Sequence, residues 1–91
     1  MSIERVAVIG CGQMGLGITE VCAVAGFEVV AIKATGGDLE KVRARLAKSL
    51  DRRVAKGKLS AEDRDATLAR VRFAGDLEPV ADVDLVIESA L

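Results

Sequence analysis

The sequence predicts an α/β fold, a doubly wound parallel sheet, and three observations carry that prediction. The runs "RVAVIG" and "FEVVAIK" are rich in β-branched residues and apolar on both faces, as strands buried on both sides of a parallel sheet read. Between them the apolar spacing changes from that of a strand to that of a helix. Glycines stand at both joins, so strand, glycine turn, helix, glycine and strand make a βαβ crossover, expected to be right-handed.

The first strand is expected at 4–9. Met14, Ile18, Val21, Cys22 and Ala25 then recur at i, i+4, i+7, i+8 and i+11, which predicts a helix over 13–25 that Gly26 ends in a left-handed cap. The second strand follows without slack at 27–33. In the loop "ATGGD", Asp38 is placed to N-cap a long helix over 39–56, whose Leu39, Val42, Leu46, Leu50 and Val54 recur at steps of three or four. Gly57 ends it. Ser60 with Asp63 is a loose capping box that opens a second helix running to about 71, which makes "GKLS" a turn between two helices. A short strand at 71–74, one helical turn in "DLEPVAD" and a buried strand at 84–88 complete the order. Both phenylalanines, Phe27 and Phe73, fall on strands in this reading.

Bulk properties bound the function. Ninety-one residues suit one small domain with no room for a second, catalytic one. With 51% hydrophobic and 30% charged residues the chain reads as globular rather than disordered. The formal net charge of -1 argues for neither a nucleic-acid nor a membrane partner, and only 2% of the residues are aromatic, too few to stack bases. The charge is nevertheless uneven. Residues 41–58 carry eight Lys or Arg against one Asp, whereas 59–91 carry eight acids against three bases. The basic segment is either a solvated helix face or a dock for something anionic. Cys11 and Cys22 lack the spacing of a metal site and read as reduced, buried thiols of a cytoplasmic protein. No export signal or anchor is expected, since the longest apolar stretch, 21–32, is broken by Gly26 and Glu28.

The motif with chemical content is Gly10-Cys11-Gly12-Gln13-Met14-Gly15, a G-x-G-x-x-G run directly after a strand and opening a helix. In that place Gly10 serves the tight turn, Gly12 lets the backbone approach a pyrophosphate, and Gly15 lets the helix pack close to the strand. The free N–H groups near Gln13 and Met14 would face the anion, with the helix dipole behind them. This is a Rossmann-type dinucleotide site, for NAD or NADP. The pattern also asks for an acid at the end of the second strand to take a ribose hydroxyl, and that position holds Lys33. A cation there would attract a 2'-phosphate, with Thr35 and the Gly36 and Gly37 amides as helpers, and so leans toward NADP.

With these motifs in place, "VAVIGCGQMGLGITEVCAVAGFEVV", "KSLDRRVAKGKLSAEDRD" and "DLEPVADVDLVIES" together resemble the N-terminal part of the 3-hydroxyacyl-CoA dehydrogenases, most closely their bacterial 3-hydroxybutyryl-CoA branch. Gly17 adds to the likeness. So does the helical hairpin inserted after the second strand. The resemblance covers essentially the whole chain and implies hydride transfer between a nicotinamide cofactor and the 3-hydroxyl carbon of an acyl-CoA. It also implies that Ser49 and Lys56 of the hairpin contact CoA. The acid usual in the family is replaced by Lys33. The family's catalytic His is expected beyond Leu91, and this sequence contains no His. Glu20, Glu28 and Glu88 read as a helix surface residue, a strand-edge residue and the end of the last strand, none of them a general base. These residues are therefore read as the first part of a dinucleotide-binding domain, inactive alone, with a parent that dimerises through a further domain. An open sheet edge and an exposed apolar face on the first helix are expected, making the isolated chain marginally stable or self-associated. A stand-alone nucleotide-sensing module is the alternative of another class.

Overall fold

The computed structural model describes residues 3–33 and 37–89. Four parallel strands, β1 (Arg5–Ile9), β2 (Glu28–Ile32), β3 (Val71–Ala74) and β4 (Leu85–Glu88), lie in the order β3-β2-β1-β4. Helix α1 (Gln13–Val24) joins β1 to β2, and α2 (Leu39–Ala55) with α3 (Ala61–Ala69) joins β2 to β3. A short 3-10 segment, Glu78–Asp82, precedes β4. Every predicted element is present, with ends shifted by no more than two residues; Phe27 lies just outside β2 rather than on it.

The chain builds outward from β1 to β2 to β3, then returns to the other side of β1 to place β4. The direction of winding therefore reverses between β1 and β4, and in open parallel sheets ligands bind beyond the carboxyl ends of the strands at such a reversal. The register Val6↔Val29, Val8↔Ala31 and Val8↔Ile87 aligns those carboxyl ends, so Gly10 and Ser89 emerge side by side.

Alternation along the strands divides the core in two. Val6, Val8, Val29, Ala31 and Val71 face the helices and pack with Leu16, Ala23, Val42, Leu46, Leu50 and Leu68. Ala7, Val30 and Ile32 face the other way, where Val80 and Val83 cover them. Leu46 and Leu50 of α2 are buried, as their spacing predicts. On α1 the apolar stripe read from the sequence is not the face on the sheet: Met14 and Val21 are 67% and 61% exposed, and Ile18 and Cys22 are half-buried. The sheet takes the neighbouring face, Gly15, Leu16, Thr19, Glu20 and Ala23. The open apolar surface expected on this helix is supplied by Met14 and Val21, while Ile18 and Cys22 pack against the core.

The caps form as read. The Asp38 carboxylate accepts from the Glu40 N–H at 2.9 Å, and the Ser60 hydroxyl accepts from the Asp63 N–H at 3.0 Å. Gly26 and Gly57 close their helices at φ +106° and +72°.

Candidate functional site

The turn after β1 is built around two glycines that admit no substitute. Gly10 adopts φ +115°, a region L-residues avoid, while its N–H donates to the Ile32 carbonyl at 2.9 Å. A Cβ on Gly15 would lie 1.9 Å from the Gly10 carbonyl oxygen and 2.7 Å from Ser89 Oγ, so the first turn of α1 is pressed against the end of β1. Ser89 secures the same spot from β4: its N–H and its hydroxyl donate to the Ile9 carbonyl at 2.9 and 3.2 Å. Gly12 differs, because apart from its own chain neighbours nothing among the described residues lies within 4 Å of where its Cβ would be. The space above it is open to a ligand.

Among the described residues, α1 differs from α2 and α3 in having a bare N-terminus. Its N-cap is Gly12, which offers no side-chain acceptor, and its first turn holds no acid. By contrast α2 and α3 each have a side-chain cap and acids in the first turn. The N–H groups at the start of α1 are therefore left for an outside acceptor, with the positive end of the helix dipole behind them. A narrow turn, an open floor at Gly12 and free donors match the demands of a pyrophosphate. The turn formed by Gly10, Gly12, Gln13, Met14 and Gly15 fits the shape and charge of a dinucleotide pyrophosphate.

Lys33 directly follows β2, and its N–H donates to the Ala74 carbonyl at 2.8 Å. Its side chain runs over Gly37, where a Cβ would meet Lys33 Cε at 2.7 Å. Thr35 and Gly36, the other expected helpers, lie outside the described residues. Burial pushes the Cys11 thiol above its ordinary pKa, against an opposing pull from Lys33 and Arg45. Of these two cations, Lys33 directly follows β2 and Arg45 lines a groove with Gln13. Cys11 is buried, but Cys22 is only half-buried.

A second feature runs along the seam of α1 and α2. Gln13 and Gly17 of α1 face Arg45, Lys48, Ser49 and Arg52 of α2 across a groove of about 400 Å³. Ser49 and Arg52 also line a neighbouring groove of about 270 Å³, with Lys56 and Lys58. The two predicted CoA contacts, Ser49 and Lys56, therefore share one groove, and the seam leads from it toward the dinucleotide turn at Gln13. Glu20 corrects the sequence reading. It is 8% exposed rather than a surface residue, and its carboxylate accepts from Arg53 Nε in an ion pair across the seam. Glu28 is exposed and pairs with Arg5 at 3.5 Å, and Glu88 ends β4 as expected.

Sequence reasoning missed Ser89, Arg45 and Arg52. A register count would have found Ser89, because Ile9↔Glu88 puts it beside the glycine turn. The arginines are hidden among six other Lys or Arg in 41–58. Among the described residues no three His, Cys, Asp or Glu gather as metal ligands, and no helix is long and apolar enough to cross a membrane.

Sheet order, glycine turn and bare helix terminus define a Rossmann-type, NAD(P)-binding unit. Residues 5–91 match the family described as "3-hydroxyacyl-CoA dehydrogenase, NAD binding domain", and the chain belongs to that family. It is 42% identical over 90 residues to a 3-hydroxybutyryl-CoA dehydrogenase of Mycobacterium tuberculosis, covering 99% of this chain and 32% of the relative. It is 39% identical to the 3-hydroxyadipyl-CoA dehydrogenase of Escherichia coli, covering 99% of this chain and 19% of that one. Among solved structures, FadB2 of M. tuberculosis superposes with a TM-score of 0.93 at 42% identity, over 100% of this chain and 32% of FadB2. The (S)-3-hydroxybutyryl-CoA dehydrogenase PaaH1 of Ralstonia eutropha gives 0.90 at 38% identity, over 99% and 32%. The chain spans about a third, or less, of the length of these relatives.

Proposed function

We propose that this chain supplies the cofactor-binding part of an oxidoreductase that interconverts 3-hydroxyacyl-CoA and 3-oxoacyl-CoA, with 3-hydroxybutyryl-CoA and acetoacetyl-CoA as the pair. The observation that carries this reading is the uncapped start of α1 at Gly12, set beside a cationic groove that holds Ser49 and Lys56. Gly10, Gly12, Gln13, Met14 and Gly15 bind the pyrophosphate through backbone N–H groups and the dipole of α1. The nicotinamide, when bound, exchanges a hydride with the 3-carbon of the substrate. Ser49 donates a hydrogen bond to CoA, and Lys56 meets its phosphates as a point charge. Lys33, at the end of β2, supports NADP, because a cation there favours a 2'-phosphate over a bare hydroxyl pair.

A general base with a pKa near 7 must take the hydroxyl proton as the hydride leaves. These 91 residues contain no His. Glu20 and Glu28 are engaged in ion pairs. The chain alone therefore has no turnover. The same reading includes a cytoplasmic homodimer joined through a further domain, with no nucleic-acid or membrane partner.

Fluorescence titration with NADPH and NADH at two salt concentrations tests the cofactor assignment. Tighter NADPH binding that weakens steeply with salt is expected; equal or tighter NADH binding refutes the role given to Lys33. Oxidation of either cofactor by acetoacetyl-CoA in the presence of this chain alone would contradict its proposed inactivity.

A further inference from the structure

Arg52 and Arg53 are neighbours in the sequence, yet they stand in different surroundings. Both line the smaller groove with Glu20, Ser49 and Lys56, and what separates them is their pairing. Arg53 turns into the seam and pairs with the nearly buried Glu20 of α1, the side chains being 32% and 11% exposed. Arg52 is exposed, lines both parts of the groove, and has no acid within ion-pair distance among the described residues. It lies three residues after Ser49 and four before Lys56, so the three share one face of α2.

We propose that the two arginines divide the work: Arg52 binds a phosphate of CoA, between Ser49 and Lys56, while Arg53 only ties α2 to α1 through Glu20. The inference rests on the reading of this groove as the CoA site. An arginine suits the place, since its planar fork can donate two parallel hydrogen bonds to one phosphate group where lysine acts only as a charge. Glu20, neutralised by Arg53, leaves the field of the groove cationic. Without Arg53 a nearly buried carboxylate would be unpaired, which is strongly destabilising.

The test is calorimetric titration of the chain, at fixed low salt, with CoA, dephospho-CoA and pantetheine, beside thermal melting. Arg52→Gln is expected to weaken CoA binding about tenfold, leave pantetheine binding unchanged and leave the melting temperature alone. The loss persists with dephospho-CoA if Arg52 holds the diphosphate, and disappears if it holds the 3'-phosphate. The Glu20→Gln, Arg53→Gln double variant, which removes both charges of the pair at once, is expected to lower the melting temperature by several degrees while CoA affinity of the folded fraction stays within about twofold. Should that variant fail to fold, Arg53→Lys, which keeps the charge, is expected to fold and to bind CoA within the same limit. Arg43→Gln, outside both grooves, removes the same charge without a comparable loss. Wild-type binding of CoA that Arg52→Gln leaves intact overturns the inference and spares the CoA reading. Equal loss in folded Arg52 and Arg53 variants overturns the division of work. Absence of phosphate-dependent binding by the wild type overturns both the inference and the reading beneath it.

Discussion

Thr19 is fully buried on the sheet-facing side of α1, and its hydroxyl has no hydrogen-bond partner among the described residues. An unmet buried hydroxyl costs about 1–3 kcal/mol. Valine has nearly the same shape and a similar helix propensity. Thr19→Val is therefore expected to raise unfolding stability by about 1 kcal/mol, read from the midpoint of urea denaturation; a lower midpoint would show that the hydroxyl has a partner. Legibility at this scale follows the range of the interaction. Gly10 and Gly15 could be placed from a local motif, because their constraint comes from the turn they make. Glu20 could not, because the arginine that makes its burial tolerable lies 33 residues away on another helix.

Elements are joined by a few directed contacts, and Asp84 makes two of them. Its carboxylate accepts from the backbone N–H groups of Glu4 at 2.9 Å and Arg5 at 3.0 Å, tying the approach to β4 to the start of β1. The Glu4 and Arg5 N–H groups hold its pKa below the ordinary aspartate value. A pKa depressed by folding contributes stability above the unfolded value of about 4, and that stability is lost as pH falls through the lower folded value. Asp84→Ala should accordingly melt below the wild type at pH 7, with the difference closing as the pH drops below about 4; a difference independent of pH would contradict the assignment. Helix ends were readable because Asp38 and Ser60 act on amides two or three residues away. The face of α1 was not. Met14 and Val21 of its stripe point outward while Ile18 and Cys22 reach the rim of the core, and the buried side is Gly15, Leu16, Thr19, Glu20 and Ala23.

The whole molecule measures 35 × 35 × 19 Å, the thickness of one layer of helices on one sheet. Among the described residues three helices cover one face, and Val80 of the 3-10 segment with the following Val83 packs against Ala7, Val30 and Ile32 on the other. Strand β4 leaves Leu85 and Val86 each 41% exposed at the sheet edge, in line with the open edge and apolar surface expected from the sequence. This arrangement leaves the carboxyl ends of β1 and β4 accessible, with the bare end of α1 between them. The central claim is that the turn there binds the pyrophosphate of a nicotinamide dinucleotide. Amide resonances followed by NMR during titration with NADH or NADPH test it most directly. Saturable shifts largest at Gly12, Gln13 and Met14, and absent in Gly15→Val, are expected. Shifts centred elsewhere, or none at these three amides at saturating cofactor, would contradict it.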